Sequence, residues 1–366
     1  MKTWPDRRIQ DLLGIELPIL QAPMAGGASS EMAIAVSEAG GLGALACGML
    51  TAEQVRQKLG AIREQTSRPV NLNFFCHQPA TADPERERAW RGCLERYYRE
   101  LGLAPDVPVP KIDRAPFDQA LAELVAELKP EVVSFHFGLP SRDLFDRVKA
   151  AGAKVFSSAT TVEEATWLES RGCDAIIAQG SEAGGHRGMF LTQDPSTQIG
   201  TLALVPQVVD AVKVPVIAAG GIADGRGIAA AFALGAAAVQ IGTAYLRSPE
   251  ATITALHREA LKTAKADQTA LTNVFTGRLA RSITNRLVRE VGPISVRAPE
   301  FPLAVGALAP LRARAEQEGS ADFSSLWAGQ AFHLARELPA GELTRRLAEE
   351  ALTALRSLNA PREVFR

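Results

Sequence analysis

The stretch that indicates the fold is residues 175–188, AIIAQGSEAGGHRG. An apolar run that leads directly into glycines is typical of a buried strand followed by a loop, which places Gln179 at the carboxyl end of the strand. Gly184 and the neighbouring glycines remove side-chain bulk, so the backbone can approach a flat ligand while His186 projects toward it. We interpret His186 as a functional residue; the alternative is a surface histidine in a glycine-rich turn.

The same unit, a short apolar strand followed by a helical segment, repeats along most of the chain. Alternating strands and helices predict a parallel sheet, and eight such units favour a closed (β/α)8 TIM barrel over an open doubly wound sheet. The candidate strands are residues 18–24, 41–47, 70–76, 132–138, 154–160, 175–180, 215–222 and 238–246. The helical segments between them include residues 31–39, 52–64, 117–128, 142–151, 162–170, 202–212 and 227–234.

The chain has 366 residues, more than the roughly 250 of a plain barrel, so additional segments are expected. A highly charged helical stretch and a proline-rich connection predict an insertion near residues 83–117. Residues after about 270 lack strand alternation of comparable strength, and residues 342–358 have leucine and alanine at helical spacing. We therefore predict a barrel over residues 1–270 and a C-terminal helical region over residues 271–366 that packs on it.

Composition and charge limit the classes of function. The formal net charge is −1 and 22% of residues are charged, which disfavours a nucleic-acid groove or an anionic membrane surface. The sequence shows neither a secretory signal nor an apolar run long enough to span a membrane, so we expect a soluble cytoplasmic protein acting on small molecules. Cysteine spacing predicts free thiols and no metal site. The cysteines are Cys47, Cys76, Cys93 and Cys173.

In a barrel of this kind the loops after the strands form the active site, and those after the seventh and eighth strands often bind phosphate. Gly220 and Gly221 lie at the carboxyl end of the seventh predicted strand, and the eighth carries Gln240-Ile241-Gly242-Thr243. Glycines leave backbone N–H groups free for phosphate oxygens, the Thr243 hydroxyl can donate another hydrogen bond, and the next helix adds the positive end of its dipole. The alternative is that these glycines only allow tight helix packing.

Polar and small residues at other strand ends suit a planar ring. Ala22 and Met24 end the first predicted strand, Asn71 and Asn73 lie in the third, and Gln179 ends the sixth. Amide side chains offer a donor and an acceptor at fixed geometry. A cofactor with a phosphate tail and a planar polar ring would use all of these groups, and FMN fits that description.

The chain resembles the nitronate monooxygenases, formerly called 2-nitropropane dioxygenases, over roughly residues 15–290. The most specific shared block is QGSEAGGHRG. The resemblance also rests on PMAGG at residues 23–27, AGGLG at 39–43, SFHFG at 134–138, residues 218–227, and Gly242-Thr243. The charged insertion is less typical of the family.

The resemblance implies an FMN-binding barrel that oxidises alkyl nitronates with dioxygen to a carbonyl compound and nitrite. His186 would be the catalytic histidine. A neutral nitroalkane must first lose a proton from carbon, and His186 would act as the base for that step; a nitronate is already deprotonated at carbon and needs no base. The motif match favours Asn71 over Asn73 as an FMN contact. The other implied FMN contacts are Gln179, Gly184, Gly221, Gln240, Ile241, Gly242 and Thr243.

Two alternative functions remain open from the sequence, an FMN-dependent enoyl reductase that takes acyl carrier protein thioesters and NAD(P)H, and a non-catalytic flavin-binding barrel. The sequence also leaves the oligomeric state open. Secondary candidates for the site are His77 and His136 at strand ends, whereas His257 and His333 are predicted to be structural or solvated. We predict that Arg278, Arg281 and Arg286 cover the mouth of the site and attract an anionic substrate; the alternative is a solvated basic face.

Overall fold

The computed structural model describes residues 4–104, 106–108, 110 and 115–358. Parts of the predicted insertion (105, 109 and 111–114) and the end of the predicted C-terminal region (359–366) lie outside the described residues. The strands are β1 (Ile19–Gln21), β2 (Gly43–Ala46), β3 (Val70–Phe75), β4 (Val132–His136), β5 (Lys154–Ala159), β6 (Ala175–Gln179), β7 (Gly185–His186), β8 (Val216–Ala219), β9 (Ala238–Ile241), β10 (Thr269–Thr272) and β11 (Ala280–Ile283).

Eight of these strands form one parallel sheet, in the order β1-β9-β8-β6-β5-β4-β3-β2. A further parallel bridge between Leu20 and Leu42 joins the first strand to the last in this order. The sheet therefore closes on itself, which confirms the predicted TIM barrel over an open sheet. The strands are shorter than the predicted runs, because several predicted ends belong to the loops that surround the site.

Helices surround the barrel and bury one apolar face each. In α3, the side chains of Thr51 and Gln54 form a capping box, and Val55, Leu59 and Ile62 are buried. The helices are α1 (Arg8–Leu13), α2 (Ser30–Glu38), α3 (Ala52–Arg63), α4 (Pro84–Glu100), α5 (Gln119–Leu128), α6 (Arg142–Ala150), α7 (Val162–Ser170), α8 (Thr201–Ala211), α9 (Gly225–Ala233), α10 (Ala255–Thr263), α11 (Arg286–Val291), α12 (Ala304–Gln317) and α13 (Ala340–Leu358).

The barrel interior is closed at one end and open at the other. Ile9 and Leu13 of α1 pack in one apolar cluster with Leu20, Val132 and Ile217 of the strands. This cluster seals the amino-terminal end of the barrel, so the space available for a ligand lies at the carboxyl ends of the strands.

Helix α13 completes the ring of helices around the barrel. It packs against α9 and α2, and its Leu343 and Leu347 belong to the main core cluster of the barrel. The Tyr245 hydroxyl and the Thr344 hydroxyl are 2.8 Å apart. Helical spacing predicted a helix over residues 342–358, within a C-terminal region expected to pack on the barrel.

The region after the barrel strands also contains two strands where only helices were predicted. β10 pairs antiparallel with β11, and β11 pairs antiparallel with β7 of the glycine-rich loop. Each of the three strands is at most four residues long, too short to show alternation, and the pairing depends on tertiary contact. Local pattern therefore missed them.

A second core joins the predicted insertion to the C-terminal region. Trp90 and Tyr98 of α4 cluster with Leu308 and Leu311 of α12, and the Tyr98 hydroxyl donates to the Ala307 carbonyl at 2.6 Å. α4 thus supports α12 beside the open end of the barrel. Within the described ranges, no helix has the length and apolar character needed to cross a membrane.

Candidate active site

A cavity of about 500 Å³ lies at the carboxyl ends of the barrel strands, within the usual size range of small-molecule sites. It reaches from the strand ends to Trp327 and to helix α12. The predicted site residues that line it are Ala22, Met24, Gln179, Gly184, His186, Gly220, Gly221, Gln240, Gly242 and Thr243.

Two predicted site residues, Asn71 and Ile241, do not line the cavity. Successive inward-facing residues of a barrel strand occupy successive layers, and Asn73 lies one layer nearer the cavity than Asn71. Both asparagine amides donate to the Ser134 hydroxyl at 2.9 Å, and only Asn73 lines the cavity. Ile241 alternates with Gln240 and packs in the core beneath the helices.

Gln179 fastens the glycine-rich loop to the end of β6. Its side-chain amide donates to the His186 carbonyl at 3.1 Å, and its side-chain oxygen accepts the Gly188 N–H at 2.7 Å. His136 approaches the same carbonyl, with Nε2 at 3.2 Å. Gln179 was predicted as a cofactor contact; its hydrogen bonds show that it positions residues 186–188.

The glycines of this loop are required by close packing. A Cβ atom on Gly184 would lie 2.5 Å from the Gly329 nitrogen, and one on Gly188 would lie 2.7 Å from the Ser158 Cβ. Gly185 has φ +70°, a left-handed conformation that disfavours other residues. The loop is therefore held in one shape by its neighbours.

The His186 imidazole faces the cavity and is held by a hydroxyl and by aromatic rings. Its Nε2 lies 2.9 Å from the Thr276 hydroxyl. The ring is 5.3 Å, centroid to centroid, from both Phe301 and Trp327, and 6.0 Å from Phe137. These contacts argue against a merely solvated loop histidine. No motif marks Thr276 or Trp327, so sequence reasoning missed both.

The remaining histidines have different surroundings. His136 lines the cavity, and burial, together with Arg278, lowers its pKa to about 3, so it is neutral at physiological pH. His257 also lines the cavity, although it was predicted to be structural or solvated. Its Nε2 lies 3.1 Å from the Trp327 carbonyl, and burial lowers its pKa to about 4. His77 is buried and His333 is exposed, and neither lines the cavity.

Arg278, Arg281 and Arg286 do not line the cavity, so the prediction that they cover its mouth is wrong. The Arg278 guanidinium lies 3.9 Å from the centroid of the Phe137 ring, Arg281 donates to the Ser181 carbonyl at 2.8 Å, and Arg286 pairs with Glu100 at 2.7 Å. Their side chains are long enough to reach internal partners, which spacing in the sequence does not reveal.

Arg187 is a fully buried cation directly behind the loop. Its guanidinium donates to the Gly180 carbonyl at 2.8 Å and to the Gln179 carbonyl at 2.5 Å. Burial and the nearby Arg281 lower its pKa to about 9, which leaves it charged at neutral pH. The carboxylates of Glu182 and Glu164 act on it in the opposite direction and offset part of this charge. In the sequence, only the position of Arg187 next to His186 in the glycine-rich block could have indicated that it belongs near the site.

The glycine sites after β8 and β9 also line the cavity, and Gly220 packs against Gly180 of the glycine-rich loop. A Cβ atom on Gly242 would make only ordinary contacts, 3.5 Å to the Ala22 Cβ and 3.6 Å to the Met24 sulfur. At the start of helix α9 the Asp224 carboxylate accepts the Arg226 and Gly227 N–H groups, so these two groups are not free to donate to a phosphate. Thr243 accepts the Gly329 N–H at 2.9 Å.

Cysteines and metal ligands do not contribute to the site. The four cysteines form no disulfide, as predicted. In the part of the chain that the structure covers, no group of three or more His, Cys, Asp or Glu side chains is arranged to hold a metal ion.

Comparison with known proteins agrees with this geometry. The family profile described as "Nitronate monooxygenase" matches residues 6–350. A nitronate monooxygenase of Pseudomonas aeruginosa is 46% identical over 94% of this chain and 98% of its own length. A crystal structure of nitroalkane oxidase from Streptomyces ansochromogenes has a TM-score of 0.87 at 41% identity and covers 96% of this chain and 99% of its own.

The chain is also similar to FabK from Thermotoga maritima, with a TM-score of 0.74 at 30% identity over 98% of this chain and 99% of that one. Both measures are lower than those for the nitroalkane oxidase. The family profile extends over most of the chain and includes the glycine-rich loop with His186. The chain belongs to the nitronate monooxygenase family and is an oxidoreductase.

Proposed function

We propose that this enzyme oxidises alkyl nitronates with dioxygen to a carbonyl compound and nitrite, and that FMN is its cofactor. The observation that carries the proposal is the His186 imidazole, which is held by Thr276 and faces a cavity that Gly242 also lines. The substrate named for the Pseudomonas aeruginosa relative and for the Streptomyces ansochromogenes enzyme supports it.

The residues of the cavity fit FMN. The side-chain oxygen of Gln240 is buried and has no hydrogen-bond partner among the described residues, and Gln240 lines the cavity. A buried acceptor without a partner is costly unless a ligand supplies a donor, and a flavin ring carries an N–H group. Gly242 lines the same cavity, and the absence of a side chain there leaves space that a phosphate could occupy. Asn73 and Met24 complete the polar and apolar lining.

Bound FMN would supply the electron acceptor, and the residues of this chain would bind and orient the nitronate. His186 lies in the cavity with Nε2 directed to Thr276, so we assign it the removal of a proton from neutral nitroalkanes and the positioning of nitronates. His136 is neutral and orients the loop through the His186 carbonyl.

The experiment is anaerobic mixing of the yellow protein with ethylnitronate and, separately, with NADPH. Bleaching of the flavin by ethylnitronate, and nitrite formation after air is admitted, are the expected results. Bleaching by NADPH without any reaction of nitronate would refute the proposal and favour the enoyl reductase alternative. Because the chain belongs to a family of oxidoreductases, a non-catalytic flavin-binding barrel is disfavoured. If the protein purifies without flavin, the assignment of FMN as its cofactor is refuted.

A further inference from the structure

The cavity continues beyond His186 along one face of helix α12. The α12 residues that line it are Val305, Leu308, Ala309, Arg312 and Glu316. Their spacing of three or four residues places them on one side of the helix. The cavity therefore has an arm whose wall is a helix face, and we call the part lined by α12 the α12 arm.

Aromatic contacts join the α12 arm to the reactive end of the cavity. The Trp327 ring is 5.3 Å from His186 and 5.5 Å from Phe275, measured between centroids. Phe275 and Phe323 share an apolar cluster with Leu308 of α12, and all of these residues line the cavity. A substrate held at His186 would thus direct a substituent along an apolar wall.

The apolar wall has a defined outer limit. Arg312 pairs with Glu316 at 3.8 Å, and the Arg312 side chain is 52% exposed. The Ser324 hydroxyl donates to Glu316 at 2.7 Å and ties the facing loop to the helix. The distance along α12 from Val305 to Arg312 is about 10 Å, which an extended chain of about eight carbons would span.

We infer that the α12 arm binds the hydrocarbon chain of the substrate and makes the enzyme favour long linear nitronates over short ones, with the gain from each added carbon ending near eight carbons. The inference rests on the proposed oxidation of nitronates. Short nitronates would leave the apolar wall exposed to water, and chains longer than the wall would pass Arg312 into solvent. The chain contributes through burial of methylene groups, which stabilises the bound state in proportion to the area removed from water.

The test measures kcat/KM for linear nitronates from ethylnitronate to dodecylnitronate, with nitrite as the product. We expect kcat/KM to rise by about two- to fourfold for each added methylene and to level off near eight carbons. Ala309→Phe narrows the arm and should lower the ratio of the octylnitronate to the ethylnitronate kcat/KM by at least about tenfold. Val305→Phe is a second narrowing variant, in case Ala309→Phe does not fold.

The matched control is Ala313→Phe, one turn further along α12 at an exposed position that does not line the cavity. It should leave the octylnitronate to ethylnitronate ratio unchanged. Oxidation of ethylnitronate with no gain from longer chains would overturn the inference and leave the proposed function intact. Equal changes of the ratio in Ala309→Phe and Ala313→Phe would also overturn it. Absence of nitrite with every nitronate would refute the proposed function and this inference together.

Discussion

Replacing Gln179 with Leu removes both hydrogen bonds that hold the glycine-rich loop while keeping a side chain of similar size. The lost bonds are those to the His186 carbonyl, at 3.1 Å, and from the Gly188 N–H, at 2.7 Å. Each bond contributes about 0.5–1.5 kcal/mol, and leaving the buried Gly188 N–H unpaired costs about 1–3 kcal/mol. The His186 carbonyl retains His136, so we expect the free energy of unfolding to fall by about 2–4 kcal/mol.

The assay is urea denaturation of the Gln179→Leu variant and of two controls, with kinetics on ethylnitronate alongside. Gln179→Glu keeps an acceptor for the Gly188 N–H but places a buried carboxyl group against the His186 carbonyl, so its loss of stability should be smallest at low pH, where the protonated carboxyl can donate to that carbonyl. Gln207→Leu makes the same replacement at an exposed position of α8 and should change stability by less than about 0.5 kcal/mol. The kinetic effect should appear mainly in kcat, because His186 loses its fixed position. Equal denaturation midpoints for Gln179→Leu and Gln207→Leu would show that Gln179 does not fasten the loop.

Gly242→Val should purify folded but colourless, because an added Cβ at this position makes only ordinary contacts while the side chain occupies the space proposed for the phosphate. An absorption spectrum that shows fully bound flavin would contradict a phosphate site at this strand. His186→Asn should keep FMN, and its turnover of neutral nitroalkanes should fall by about 10²- to 10⁴-fold, whereas more of its activity on nitronates should remain. Equal losses on both substrates would exclude a role for His186 as a base. His136 has a folded pKa of about 3, below its ordinary 6.5; such a group stabilises the fold above pH 6.5 and loses that contribution as the pH falls toward 3. The free energy of unfolding should therefore decline by about 1.4 kcal/mol per pH unit in this window for each such histidine, and His136→Gln should reduce the slope measured by urea titrations.

Features with a strong local pattern could be predicted from the sequence. Residues 175–188 gave a strand, a glycine loop and His186, and the structure shows β6, a tightly packed loop and a held imidazole. The barrel followed because each βα unit carries its own apolar run and caps. The glycines after β8 and β9 line the cavity for the same reason: the carboxyl ends of parallel strands meet at one end of a barrel.

Features that depend on contact between distant segments could not be predicted. Thr276 and Trp327 reach His186 only because β10 and β11 pair with the loop. The choice between Asn71 and Asn73 depends on how near each residue lies to the open end of the closed barrel. The sequence does not show this, because both residues are asparagines on the same strand. Gln179 was predicted as a ligand contact, and it lines the cavity; its hydrogen bonds to His186 and Gly188 could not be predicted, because they depend on how the loop folds back on β6.

The position of α13 has a consequence for how the protein is made. The last wall of the barrel comes from residues 340–358, whereas its neighbours α2 and α9 are synthesised far earlier. Until α13 emerges from the ribosome, the apolar surface that later receives Leu343 and Leu347 has no cover. A nascent chain would thus carry a nearly finished barrel with one uncovered apolar surface, and a chaperone that acts during translation would be needed at that surface.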